Sequence, residues 1–359
     1  MATSSTSRWL WVLPGVGIFV LLGVGVLWLR TIFQPPIIAA TSSAELPALQ
    51  SLMGRLLFTA VDRGKETLWS SDLDGFDLQQ IRMGEGDLLA AAKSNGGGDL
   101  IFATQEKGYR AVWRMSAGQH ARQLFFVTSG IPLQFIFSPD DQFMVIEERS
   151  GSAIPQHELF LVDLERGIRS RIAQDAIMPI WEPLGRAVAY VQLSRFSEDP
   201  TTTSSEGRVM IQRMERDRTL ENPIEFEKQT LVLSQTVRGD LSLLVRNENG
   251  VQWEQKNWQG EEMMEVMDVK WDAATFPLYC QSALGGWGCL QRENGDPFQG
   301  MGWWIGADGA VQGLGSGWNH LGVQEGRLLL AKDAGVFTLE ARGNLRLLLS
   351  GNWNLPVQR

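Results

Sequence analysis

The sequence predicts an all-β protein built from repeated four-stranded sheets. Short apolar segments begin at Leu56, Leu100, Met144 and Val188, each 44 residues after the one before. Turn sequences such as Ser138–Asp141 separate apolar runs, as expected between antiparallel strands. A repeat of this length made of short strands is typical of a β-propeller, in which each repeat folds as one blade.

The repeat starts indicate about seven blades of four strands. Trp69 and Trp113 are also 44 residues apart, so we expect them to occupy one structural position. The first strand of repeat one is predicted over Leu46–Leu52. The polar insertion Ser194–Gly207 lengthens repeat four and is predicted to be a surface loop, because it has too little apolar area to bury. Six blades is the alternative, if the glycine-rich region Gly285–Gly317 is one long excursion.

A single apolar segment precedes the repeats. The residues from Trp9 to Leu29 include no charged side chain, and as a helix this length crosses about 30 Å of hydrocarbon. We therefore predict a short tail over residues 1–8, a transmembrane helix over 9–29, a linker over 30–44 and a propeller domain over 45–359. A cleaved signal peptide is the alternative, but it has a shorter apolar core and a cleavage site close behind it.

Charges beside the predicted helix favour one orientation. Arg8 and the terminal amine lie on one side, and Arg30 lies on the other. Because positive charge is enriched on the cytoplasmic side, we predict a cytoplasmic N-terminus and an extracytoplasmic propeller. The alternative is that the short tail crosses the membrane and the propeller stays in the cytosol.

Overall composition excludes several partner classes and site types. The net charge is -9 and no basic run occurs, so neither nucleic acid nor an anionic lipid surface is an expected partner. Two cysteines exclude a four-cysteine zinc site and a disulfide-rich scaffold.

No catalytic, cofactor or metal motif emerges from the sequence. Asp72–Asp77 resembles the opening of a calcium loop, but Met83 stands where the distal glutamate belongs, so we interpret the segment as a hairpin turn. His120, His157 and His320 lie in different repeats without ligand-spaced partners. The sequence contains no Gly-x-Ser-x-Gly nucleophile elbow, no phosphate-binding loop motif and no His-Glu-x-x-His motif of zinc proteases. An enzyme would need a constellation assembled from separate repeats.

Cys280 and Cys289 flank a predicted hairpin turn. If the turn is Leu284-Gly285, the two cysteines face each other across the strands and can form a disulfide. If the turn is Gly285-Gly286, Cys289 faces Ser282 instead. A bridge also requires export from the cytosol, and buried free thiols are the alternative.

Half of the 14 tryptophans lie between Trp253 and Trp318. Most are expected to pack between sheets, but exposed tryptophans anchor interfaces. Trp287, Trp303 and Trp304 are the predicted interaction surface, for a protein or a sugar.

Two segments, Trp69–Gly75 and Phe137–Asp141, together resemble the TolB-like propeller repeat. Trp69–Gly75 matches its strand with an Asp-Gly turn, and Phe137–Asp141 matches its aromatic-Ser-Pro-Asp-Gly turn. This sequence departs from the pattern where Asp141 replaces the usual glycine and where Glu182 and Leu184 replace serine and aspartate. The resemblance implies a propeller used as a protein-docking platform.

We therefore predict a single-pass membrane protein whose propeller binds a protein of the cell envelope. The first alternative is a carbohydrate- or cell-wall-binding module that uses the tryptophan-rich repeats. The second is a hydrolase or lyase at the mouth of the central channel.

Overall fold

The computed structural model describes residues 51–356, except 63, 82–85, 128–129, 151–155, 194–206, 216–219, 226–228, 237, 249, 264–266, 270–278, 284–285, 293–299, 307 and 341–342. The chain divides into two compact units, Met1–Leu46 and Pro47–Arg359, and every described residue belongs to the second. The predicted tail, membrane helix and linker fall outside the described residues. Within the described ranges, no helix is long and apolar enough to cross a membrane.

The described residues are folded as antiparallel β-sheets, five with four strands and one with eight. The first sheet contains β1 (Leu56–Asp62), β2 (Lys65–Ser71), β3 (Gln79–Ile81) and β28 (Trp353–Asn354). The second contains β4 (Asp87–Lys93), β5 (Asp99–Glu106), β6 (Tyr109–Ser116) and β7 (Arg122–Val127). The third contains β8 (Gly130–Phe137), β9 (Phe143–Ser150), β10 (His157–Asp163) and β11 (Ile168–Gln174).

An eight-stranded sheet follows in the chain, and it has two halves. One half contains β12 (Ala176–Trp181), β13 (Ala187–Leu193), β14 (Gly207–Arg213) and β15 (Ile224–Glu225). The other contains β16 (Thr230–Gln235), β17 (Leu241–Asn247), β18 (Gly250–Lys256) and β19 (Met267–Val269). Within the part of the chain that the structure describes, one pair of strand residues, Gly207 with Thr230, joins the halves.

The last two sheets again have four strands each. One contains β20 (Tyr279–Ala283), β21 (Gly286–Arg292), β22 (Gly300–Ile305) and β23 (Val311–Trp318). The other contains β24 (His320–Gln324), β25 (Arg327–Lys332), β26 (Gly335–Leu339) and β27 (Leu345–Ser350). The glycine-rich region is therefore largely part of a regular sheet, because β21, β22 and β23 lie within it or overlap it.

These sheets stack face to face, and their cores lie between them. Phe102 and Leu100 of the second sheet pack with Leu57 of the first, and Ile101 packs with Phe135 of the third. The opposite face of the third sheet packs against Tyr190 and its neighbours in the eight-stranded sheet. The first strands β4, β8, β12, β16, β20 and β24 contact one another in sequence. This succession of radially stacked sheets is the arrangement of a β-propeller.

The N- and C-terminal parts of the described chain meet in the first sheet. β28 pairs with β1, with Asn354 opposite Thr59 and Trp353 opposite Ala60. The predicted strand Leu46–Leu52 lies mostly outside the described residues, and its last residue, Leu52, is not in a strand. A strand from the other end of the chain takes that position beside β1.

The Gln324 side chain extends this short closing strand. Its Oε1 accepts a hydrogen bond from the Leu57 N–H at 2.7 Å, and its Nε2 donates to the Leu57 carbonyl at 2.8 Å. One amide side chain therefore satisfies both backbone groups of a buried residue that β28 does not reach.

The repeat predicted from sequence is reproduced in the register. Trp69 lies opposite Phe58 on β1 and β2, and Trp113 lies opposite Phe102 on β5 and β6. The two tryptophans therefore occupy equivalent positions. Of the predicted insertion, residues 194–206 lie outside the described residues, and Gly207 begins β14.

Candidate functional site

Turns between the first and second strands of successive sheets lie against one another. Asn95 and Gly96, in the turn after β4, donate backbone hydrogen bonds to the Asp141 carboxylate in the turn after β8. A Cβ atom added to Gly185, in the turn after β12, would lie 3.6 Å from Pro139. One added to Gly239, after β16, would come within 2.3 Å of Pro183. Four consecutive turns therefore form one interlocked surface, which we call the turn face.

Asp141 links two sheets, and its contacts explain why an aspartate stands where the TolB-like pattern has glycine. Its φ of 56° is in the left-handed region, where glycine is the usual residue and aspartate is tolerated. Its Oδ1 accepts hydrogen bonds from Asn95 N at 2.8 Å and Asn95 Nδ2 at 3.0 Å, and its Oδ2 accepts one from Gly96 N at 2.9 Å. A glycine would fit the backbone but would lose all three bonds.

A groove of about 400 Å³ opens on the turn face between the third sheet and β12–β14. Leu184 projects beside it with 69% of its surface exposed, and Arg186 is also exposed. The complete lining is Asp140, Gln142, Phe143, Leu184, Gly185, Arg186, Met214 and Glu215. Apolar, acidic and basic groups together suit a polypeptide segment better than a purely apolar ligand.

A second polar cluster lies at the other end of β8, β9 and β10. The Glu147 carboxylate is buried and engages two side chains with its two oxygens. Oε1 is 2.9 Å from His157 Nδ1, and Oε2 accepts a hydrogen bond from Gln134 Nε2 at 2.7 Å. The strand register produces this cluster, because Gln134 lies opposite Glu147 and His157 lies opposite Arg149. Residues 147 and 149 share one face of β9, so all four side chains project from the same side of the sheet.

The neighbouring Glu148 projects from the other side of β9, toward the second sheet. Burial raises the pKa of this carboxyl, and Arg169 at 2.8 Å opposes the rise. The Arg169 guanidinium lies 3.6 Å from the centroid of the Phe160 ring, where a cation is attracted by the aromatic face. These contacts are structural, since they lie between two packed sheets.

Cys280 and Cys289 are direct cross-strand partners on β20 and β21. Their Cα atoms are 4.1 Å apart and their sulfurs are bonded. This is the register that places the turn at residues 284–285, although the turn itself is outside the described residues.

The predicted tryptophan surface is largely buried. Trp287 has no exposed surface and Trp304 has 5%, so neither is available to a partner. Trp287 packs edge-on against Trp253 of β18, with ring centroids 6.2 Å apart. Trp303 is half-buried against the same core. Glycines on the adjoining strands leave room for these rings, which explains the density of tryptophan in this region: a Cβ on Gly286 would come within 2.4 Å of Trp304.

The other residues that the sequence singled out do not come together in one site. Asp72 uses its Oδ1 to accept hydrogen bonds from Asp74 N and Phe76 N, so this carboxylate stabilises a turn. His120 is exposed, and His320 lies on β24. The described part of the chain holds no group of three His, Cys, Asp or Glu residues arranged for a metal. His157 has a hydrogen bond to the buried carboxylate of Glu147.

Sequence reasoning missed Glu147 and Asp141 as site residues. Glu147 follows the apolar run Phe143–Ile146 within one strand, and a carboxylate that continues a buried strand is a signal for a buried polar contact. Asp141 was noticed only as a departure from a pattern, because its partners are in the preceding repeat.

No protein-family model matches the sequence, and no curated protein matches it either. Among solved structures, a puromycin hydrolase mutant (S511A) is similar over 90% of this chain and 57% of its own, with 13% identity and a TM-score of 0.57. The periplasmic gluconolactonase of Pseudomonas aeruginosa is similar over 85% of this chain and 97% of its own, with 12% identity and a TM-score of 0.54.

TolB from Acinetobacter baumannii is also among the similar structures, with 15% identity over 73% of this chain and 63% of TolB. Its TM-score of 0.45 is too low to add support. This chain spans 36% of a tricorn protease and 57% of the puromycin hydrolase. At such identities the matches with the higher scores show the fold alone, so the chain has the fold of a β-propeller.

Proposed function

We propose that this chain is a membrane-tethered β-propeller of seven blades that serves as a docking platform for a protein of the cell envelope. The eight-stranded sheet counts as two blades, because among the described residues a single strand pair, Gly207 with Thr230, joins its halves. The tether in this proposal is the apolar segment over residues 9–29.

The interlocked turn face is the observation that carries the docking proposal. Backbone and side-chain bonds fix Asn95 and Gly96 against Asp141 before any partner arrives. A surface that is already ordered loses little conformational freedom on binding, so more of the contact energy appears as affinity. Exposed Leu184 beside the groove supplies an apolar anchor on that surface.

An extracytoplasmic location is supported by two features of different origin. Arg8 and the terminal amine outnumber Arg30 across the apolar segment. Disulfides such as Cys280–Cys289 form and persist in proteins of oxidising compartments. Protease treatment of sealed cells tests the location: a C-terminal tag should be digested from outside, whereas protection until lysis would contradict it.

Site-specific photocrosslinking tests the docking surface. A photoreactive phenylalanine analogue replaces Leu184 on the turn face in one variant of the full chain. In the control it replaces Val61, which is 61% exposed at the opposite end of the first sheet. We expect a discrete adduct with one envelope protein from position 184 and none from position 61.

Two results would contradict the docking proposal. One is the absence of any adduct at position 184 in cells that contain the full envelope. The other is an identical set of adducts from both positions, which would indicate collisions and no defined surface.

A further inference from the structure

We propose that His157 is the general base of a hydrolytic site for carboxylic esters, held in position by Glu147. This activity is separate from docking, because the cluster lies at the opposite end of β8 and β9 from the turn face. Neither the fold nor the docking proposal requires it.

Glu147 fixes which nitrogen of His157 carries the proton. A carboxylate can only accept hydrogen bonds, so Nδ1, at 2.9 Å from Glu147 Oε1, must be the donor. In the neutral ring, Nε2 then keeps its lone pair and can accept a proton. The second oxygen of Glu147 is held by Gln134, so the carboxylate is fixed from two sides.

The Glu147 carboxylate is buried and the His157 imidazole is partly exposed, as a general base and its positioning group require. The Glu147 side chain is 9% exposed, and the His157 side chain is 27% exposed. The carboxylate is therefore shielded from water, while the imidazole can be reached by a small molecule. A buried carboxylate that orients an accessible imidazole is the base unit of many hydrolases.

Arg149 supplies a positive charge on the same side of the sheet. It lies directly opposite His157 in the β9–β10 pair, so their Cβ atoms are separated by about 5 Å. The long Arg149 side chain can extend its guanidinium from this position toward a carbonyl attacked near Nε2 and stabilise the oxyanion that forms there. The three side chains thus combine a base, its positioning group and an oxyanion partner.

These groups suffice for ester hydrolysis with water as the nucleophile. Water attacks the carbonyl carbon, a new C–O bond forms, and the released proton moves to His157 Nε2. Glu147 stabilises the resulting imidazolium, while Arg149 faces the oxyanion. The C–O bond to the leaving group then breaks, and Nε2 returns its proton to the departing alkoxide. An acid and an alcohol are formed, and no other reactant is consumed.

p-Nitrophenyl acetate is the probe, with the full chain in detergent and release of nitrophenolate as the readout. We expect His157→Gln to lower kcat/KM at least about tenfold, since a positioned base commonly contributes 100-fold or more. His120→Gln is the matched control, because His120 is exposed and outside the cluster. It should retain the wild-type rate.

Glu147 is tested as a positioning residue. Glu147→Gln should lower kcat more than it raises KM, because substrate contacts stay in place. Added imidazole should restore activity to His157→Ala and leave Glu147→Gln unchanged. Rescue separates a missing base from a misfolded sheet, and circular dichroism of each variant checks the fold.

Equal rates for wild type, His157→Gln and His120→Gln would overturn the proposal, as would a His157→Ala variant that folds but is not rescued by imidazole. Crosslinking from position 184 is unaffected by either outcome, so failure here is distinguishable from failure of the docking proposal.

Discussion

Replacing Asp141 should loosen the turn face, because this carboxylate joins two sheets through three hydrogen bonds. A hydrogen bond to a charged group contributes about 1.5–3 kcal/mol, but three bonds on one half-exposed group are not additive. We therefore assign the carboxylate about 2–3 kcal/mol. Asp141→Ala also places a β-carbon residue without a local hydrogen-bonding group at a φ of 56°, which costs about 1 kcal/mol more.

Two further substitutions at the same position separate the contributions. Asp141→Asn keeps an oxygen for Asn95 but presents an amide N–H to Gly96, so it should cost about 1–2 kcal/mol. Asp141→Gly loses every bond but suits the backbone, so it should cost about 2 kcal/mol. The expected order of stability is wild type, Asn, Gly, then Ala.

Urea unfolding followed by tryptophan fluorescence measures this order, and hydrogen exchange reads the Asn95 and Gly96 amides directly. In Asp141→Ala both amides should exchange faster than the fall in global stability alone accounts for. Unchanged exchange at both amides would refute the reasoning, since it would mean that the carboxylate does not hold the preceding turn. An Asp141→Gly variant more stable than wild type would show that backbone strain outweighs the bonds.

Three other changes test the closure, the cysteine pair and the buried tyrosine. Gln324→Ala leaves the buried N–H and carbonyl of Leu57 without hydrogen-bond partners, so it should lower the free energy of unfolding by about 2–4 kcal/mol. Hydrogen exchange of the Leu57 amide should become faster. Unaltered protection of that amide would contradict the bridge through the Gln324 side chain. The double variant Cys280→Ala, Cys289→Ala should lose about 2–3 kcal/mol of folding stability, as expected for a disulfide that closes a short loop. Alkylation of both thiols in the wild type without reductant would contradict the disulfide. Burial raises the pKa of Tyr190 to about 12, so the folded state resists its ionisation. The Tyr190 contribution to stability should stay level below pH 10 and fall by about 1 kcal/mol per pH unit between pH 10 and about 12. Tyr190→Phe should remove that part of the fall in urea midpoints. A Tyr190→Phe variant with the wild-type alkaline slope would contradict this.

Local patterns predicted the sheets well, because each strand is encoded in its own apolar run. The segments at Leu56, Leu100, Met144 and Val188 all lie in second strands, and their spacing identified the repeat. Closure by Trp353–Asn354 was not predictable in this way, because the segment is two residues long and its partner is near the other end of the domain.

The candidate sites depend on contacts that no spacing records. Glu147 and His157 meet through the register of two strands, and Asp141 meets Asn95 across two repeats. Trp287 was expected at a surface because tryptophan anchors interfaces, but it is buried against Trp253 of the neighbouring sheet. Composition shows how many tryptophans the chain has, but it does not show whether their side chains point into the core or toward solvent.

The pairing of β28 with β1 has a consequence for the order in which the molecule is made. β28 follows every other described strand in the sequence, so a growing chain carries an incomplete first sheet until Trp353 and Asn354 have been added. During that interval the edge of β1 offers unpaired backbone groups to any other strand nearby. A chain cut short before Trp353 would keep that edge permanently, however well its remaining sheets were packed.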